Sequence, residues 1–126
     1  MSGYSHVNLM DVEPSVDREE MEGRFARNHL DSRELGVSYF RYGAGFRAAT
    51  GHRHREQEEA YVVVGGSGRV KLDHEVVELR RWDVVRVAPE VVRAFEGGPD
   101  GLEIIALGGT KPEGGDGVRV DDFWPA

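Results

Sequence analysis

Between residues 37 and 107, short runs of Val, Ile, Tyr and Phe recur between Gly, Pro and Asp punctuation, and this pattern restricts the chain to an all-β sandwich or barrel. Seven segments have the length of one strand each: 37–42, 59–64, 69–72, 76–79, 83–87, 91–96 and 102–107. The breaks fall at Gly43 to Gly45, Gly65 to Gly68, Asp73-His74, Arg81-Trp82 and Pro89-Glu90. A total of 126 residues suits one domain, here a core of about 37–107 with an N-terminal extension, 1–36, and a C-terminal loop and tail, 108–126. The stretch 97–117 reads as largely loop, because eight of its residues are glycine and two are proline. Residues 15–35 stay undecided: Asp17 and Glu20 have the spacing of a capping box opening a short helix, but Gly23 interrupts it almost at once.

Charge and composition narrow the partners. With 39% hydrophobic residues the chain can fill a core, and its net charge of −7 repels phosphate backbones and anionic lipid, so neither nucleic acid nor membrane is an expected partner. Cysteine is absent, which leaves His, Asp and Glu as the ligands available to any metal. Residues 1–10 lack the pattern of a secretory signal, and no apolar run approaches the ~20 residues of a bilayer-spanning helix. A cytoplasmic protein is the expectation.

The strongest local signal is His52-Arg53-His54-Arg55-Glu56-Gln57-Glu58-Glu59, which runs into an apolar strand and then Gly65-Gly66. On a strand, residues two apart share a face, so His52 and His54 point one way and Arg53 and Arg55 the other. Two such imidazoles stand roughly 6 to 7 Å apart, close enough to converge on one ion, and a carboxylate would complete a facial triad with open coordination positions. The plain alternative is a pair of histidines decorating a polar strand end.

With those residues in view, the segment resembles the first motif of the cupin superfamily, G-x5-H-x-H-x3–4-E-x6-G. His52, His54, Glu59 and Gly66 match it, with Gly45 one residue out of place. A shorter spacing would select Glu58 and Gly65; Glu59 with Gly66 is the better match, and Gln57 or Glu58 is the substitute ligand. The second motif, G-x5-P-x-G-x2-H-x3-N, falls on 82–97 in recognisable register but with every named residue changed, Arg93 standing where the family has its histidine.

The resemblance implies a small single-domain cupin jelly-roll β-barrel that pairs into a homodimer through its outer sheet faces. It also implies a divalent ion (iron, manganese, zinc or nickel) held by His52, His54 and Glu59, and dioxygenase-like or isomerase-like chemistry among several possibilities. Arginine has no lone pair for a metal, so Arg93 cannot replace the missing ligand. With an ion bound, its two charges, one negative charge from Glu59 and one positive from Arg93 leave a cationic pocket suited to a small anionic ligand, which Arg93 would orient. Without an ion, Glu59 and Arg93 can neutralise one another, as buried charges must. That alternative is a metal-free cupin serving as a ligand-binding or interaction module.

Tyr61 shares the parity of Glu59 and is expected inside the barrel, where its hydroxyl can reach a substrate or serve as wall. His74 reads as a turn residue, and His6 and His29 as solvated side chains without partners at ligand spacing. The tail 122–125 is expected to pack its aromatic rings across a sheet or a partner.

Overall fold

The computed structural model describes residues 3–126. After a 3-10 turn at Leu9–Asp11, nine strands and one α-helical turn follow in chain order: β1 (Val16–Asp17), β2 (Met21–Phe25), α1 (Arg27–Leu30), β3 (Gly36–Tyr42), β4 (Gly51–His54), β5 (Glu59–Leu72), β6 (Glu75–Arg80), β7 (Val84–Val87), β8 (Arg93–Gly108) and β9 (Gly117–Val120). All the pairings are antiparallel and link the strands into one sheet in the order β1-β2-β3-β8-β4-β9, with β5 bridging β6, β7 and β8. This is an all-β jelly roll, the architecture expected from the alternating apolar segments.

Two expectations about strand breaks need correction. The glycines at 65–68 do not turn the chain: β5 runs unbroken for 14 residues, with register shifts against β8 between Val63 and Gly65 and between Gly66 and Gly68. Gly66 has φ +65°, and a Cβ there would overlap the Gly101 carbonyl oxygen, so these are bulges at which two backbones approach closely. Likewise β8 is one strand of 16 residues that passes through Gly97, Gly98 and Gly101. Glycine marks both turns and bulges, and only the partner strand tells them apart.

Within residues 15–35, β1 and β2 form a hairpin, followed by the turn α1, rather than the capped helix that Asp17 and Glu20 allow: Arg18 and Met21 exchange backbone hydrogen bonds of 2.8 and 3.2 Å, and β2 pairs along β3. The C-terminal stretch is also built into the sheet, since β9 pairs with β4 from Gly51 to His54.

Alternate residues of β5 and β8 supply the core: Tyr61, Val63, Val70, Phe95, Leu102, Ile104 and Ala106 are buried against Tyr42, Leu79 and Val87. Ring contacts Tyr42–Phe95 at 5.7 Å and Tyr61–Phe95 at 4.9 Å close the barrel floor. The C-terminal tail then straps the strand that carries the two histidines. Trp124 is buried under the guanidinium groups of Arg47 and Arg69, 4.7 and 5.6 Å from its ring centroid, and its backbone N–H donates to the Ala49 carbonyl at 3.0 Å. Phe123 lies so close over Gly51 that a Cβ there would meet its ring at 2.7 Å. The tail therefore fixes the entry to β4.

Candidate metal centre

β4 presents His52 and His54 to one cavity, the His54 ring largely covered and the His52 ring still exposed, and Glu59, the first residue of β5, comes to meet them. One ligand atom from each of the three lies within 4.8 Å of the others. His52 Nε2 is 3.5 Å and His54 Nε2 3.3 Å from the same Glu59 oxygen, Oε1, and the two rings stand edge to face at 5.2 Å. The two histidines that parity placed on one face thus meet the glutamate that the cupin resemblance implied. Glu58 points outward and pairs with the exposed Arg86 at 2.5 Å, while Gln57 donates its amide to the Gly109 carbonyl at 3.1 Å. His6, His29 and His74 are exposed.

Register places Arg93 directly opposite His52 on β8. Its side chain exposes no surface; Nη1 and Nη2 donate long bonds to the carbonyls of His52 (3.4 Å) and Ala88 (3.3 Å), and Nη2 lies 4.0 Å from Glu59 Oε1. Tyr61, also buried, donates its hydroxyl to that same oxygen. Glu59 therefore sits among two imidazoles, a phenol and a guanidinium. Burial pushes its carboxyl upward, but the neighbouring imidazoles of His52 and His54 and the Tyr61 hydroxyl outweigh that and hold it far below the ordinary 4.5.

The residue that sequence reasoning missed is Asp116. Its Oδ1 lies 2.8 Å from His54 Nδ1, and its Oδ2 accepts the backbone N–H groups of Glu56 (2.7 Å) and Gln57 (2.8 Å). A carboxylate at Nδ1 holds the proton there and leaves Nε2 as the lone-pair nitrogen, the tautomer a metal ligand requires. His54 Nε2 is buried and has no hydrogen-bond partner, although Glu59 Oε1 lies 3.3 Å away. A buried imidazole nitrogen left unpaired beside a second imidazole and a carboxylate is what a metal ligand looks like without its ion, so these residues fit a divalent cation.

Protonation also has a signature in the metal-free protein. The Glu59 carboxylate raises the His54 pKa above 6.5 and outweighs the downward push of burial, with Asp116 adding to the rise. A raised folded-state pKa means that the stabilisation is complete below about 6.5 and is lost as pH rises through the shifted value; the lowered carboxyls of Glu59 and Asp116 lose theirs only on acidification. In chelator, the thermal midpoint is expected to be higher near about pH 6 than near about pH 9, and His54→Gln should flatten that difference. An unchanged midpoint in the unsubstituted chain would contradict the assigned His54 environment.

The three ligand atoms line a cavity of about 990 Å³ that opens through the barrel mouth and is walled by Phe40, Tyr42, Phe46 and Phe95. Among the described residues no helix is long and apolar enough to cross a membrane.

No protein-family model matches the chain, and no curated protein does. Solved structures do. A cupin protein from Bacteroides fragilis superposes with a TM-score of 0.73 at 21% identity, over 89% of this chain and 88% of that one. A tryptophan-to-phenylalanine variant of oxalate decarboxylase from B. subtilis gives 0.77 at 15% identity, over 90% of this chain and 32% of that one. Salicylate 1,2-dioxygenase from Pseudoaminobacter salicylatoxidans, in adducts with gentisate, gives 0.66 at 17% identity, over 77% and 27%. The chain thus spans about a third of the two enzymes and most of the first protein. At these identities the likeness shows the fold, and the fold is that of a small cupin.

Proposed function

We propose that this cupin-fold protein binds one divalent metal ion through His52 Nε2, His54 Nε2 and the Glu59 carboxylate, and acts on a small anionic molecule held in the barrel cavity. The buried, unpaired Nε2 of His54, aimed at the second imidazole and the carboxylate, carries this reading. Two nitrogens and one oxygen suit iron, manganese, zinc or nickel. Held by these three residues, such an ion would supply the polarisation of a ligand oxygen, the chemistry used by dioxygenase-like and isomerase-like sites.

The protein's own residues do the rest. Asp116 fixes the tautomer and orientation of His54, tethered in turn by the N–H groups of Glu56 and Gln57. Tyr61 and Arg93 act from behind Glu59: one donates a hydrogen bond to its oxygen and the other supplies a counter-charge without reaching the surface. With an ion present, Arg93 adds one positive charge while Glu59 and Asp116 each subtract one, so one positive charge remains to attract an anion. Salicylate, gentisate and oxalate, named with the structural neighbours, are all carboxylic acids, which agrees with that sign. A homodimer through the outer sheet would cover the exposed Val76, Trp82 and Val84.

A second reading, a metal-free binding module, draws on the 4.0 Å approach of Arg93 to Glu59. Metal analysis separates the two. Untagged protein exposed to iron(II), manganese, zinc or nickel and then desalted is expected to retain about one equivalent of at least one ion. Zero retention of all four would leave the metal-free module standing.

A further inference from the structure

The geometry points to a second anion-binding subsite in the same cavity, formed by Arg27, Gln57 and Lys111, and we infer that the ligand is a small dicarboxylate with one acidic group at each end. The inference rests on the metal site proposed above for one end only. At the other end, Gly36 of β3 and Gly108 of β8 are register partners. A Cβ on Gly36 would meet Arg27 Nη2 at 2.6 Å, and a Cβ on Gly108 would meet Gln57 Nε2 at 2.5 Å. Two facing glycines thus open the space in which the guanidinium and the amide lie. Both side chains donate to the Gly109 carbonyl, at 3.3 and 3.1 Å, which fixes them side by side. Gln57 is buried, and its backbone is anchored on Asp116, the residue that also holds His54.

Charge gives the subsite its ligand. Six cationic residues border the cavity, Arg18, Arg27, Arg47, Arg93 (its side chain buried behind Glu59), Lys111 and Arg119, with one acidic residue, Glu59. Four of the six face carboxylates: Arg18 with Glu20, Arg47 with Glu96, Arg93 with Glu59 and Arg119 with Asp121. Arg27 bonds only to the carbonyls of Glu34 and Gly109, and neither it nor Lys111 has a carboxylate partner among the described residues. In a chain of net charge −7, two uncompensated cations bordering one cavity are a local reversal of sign. A planar guanidinium beside an amide donor matches the fork of a carboxylate. Since the metal end also calls for an anion, two carboxylates on a short chain satisfy both.

The test uses the full chain loaded with zinc, with zinc stoichiometry measured on every sample. Succinate and glutarate are compared with butyrate and valerate, and with inorganic phosphate, by ligand-observed NMR competition. The dicarboxylates are expected to bind about tenfold or more tighter than monocarboxylates of equal length, the worth of one charge-assisted contact. Arg27→Met should remove that preference while zinc stays at one equivalent. Lys111→Gln, a change at an exposed position, should reduce the preference severalfold and guards against an Arg27 variant that does not fold. Equal binding of mono- and dicarboxylates, a preference untouched by both substitutions, or selection of phosphate over dicarboxylates overturns the inference with the metal reading intact. Failure to take up zinc at all overturns the metal reading and the dicarboxylate with it.

Discussion

Replacing His52 and His54 together by alanine is expected to abolish metal binding while leaving a folded barrel. Structural zinc sites with four ligands are worth about 10 to 16 kcal/mol, so each ligand carries roughly 3, and losing two should weaken binding by about four orders of magnitude. The fold should survive. Neither ring belongs to the buried core, and Asp116 keeps its bonds to the N–H groups of Glu56 and Gln57 when His54 is gone. Calorimetric titration of a chelator-treated sample, with circular dichroism as the folding control, reads both halves. Undiminished affinity in the folded double variant would move the ion elsewhere.

Arg93→Met should act with opposite signs on the two states of the site. In the metal-free protein the buried Glu59 carboxylate loses its guanidinium, which costs about 3 kcal/mol, the low end for breaking a buried pair, because Tyr61 and the two imidazoles still face it. In the metal-bound protein the same change removes a like charge. A divalent ion and a guanidinium about 5 Å apart repel by roughly 6 to 7 kcal/mol at an effective dielectric near 20, so metal affinity should rise at least about tenfold even after generous screening. Denaturant unfolding in chelator measures the first effect and metal titration the second. A loss of stability with no metal affinity in either protein would instead support the metal-free module. Weaker metal binding in the variant would contradict the charge argument.

The ligand trio was legible because a strand turns sequence parity into spatial parity. His52 and His54 had to share a face, whereas the motif spacing admits Glu58 as well as Glu59 and only the likeness to the family's text favours Glu59; in the structure Glu58 faces out to Arg86. The same logic put Tyr61 inside, and motif register put Arg93 at the family's histidine position; both are buried. Asp116 was not legible, since it stands 62 residues from His54 in a glycine-rich stretch that reads as a loop, and only the pairing of β9 with β4 brings it back. The long strands β5 and β8 were cut in two on paper because their glycines serve close backbone contact and not a turn. The first hairpin was obscured by its length: β1 has two residues, too few for any alternation to show. Arg27 likewise carried no motif, its partners being backbone carbonyls that any sequence supplies.

Anomalous diffraction from crystals grown with zinc or iron(II) tests the metal assignment most directly. The account predicts one anomalous peak within about 2.0 to 2.2 Å of His52 Nε2, His54 Nε2 and a Glu59 carboxylate oxygen. No peak in that position at saturating metal, with Glu59 instead closed onto Arg93, would contradict it.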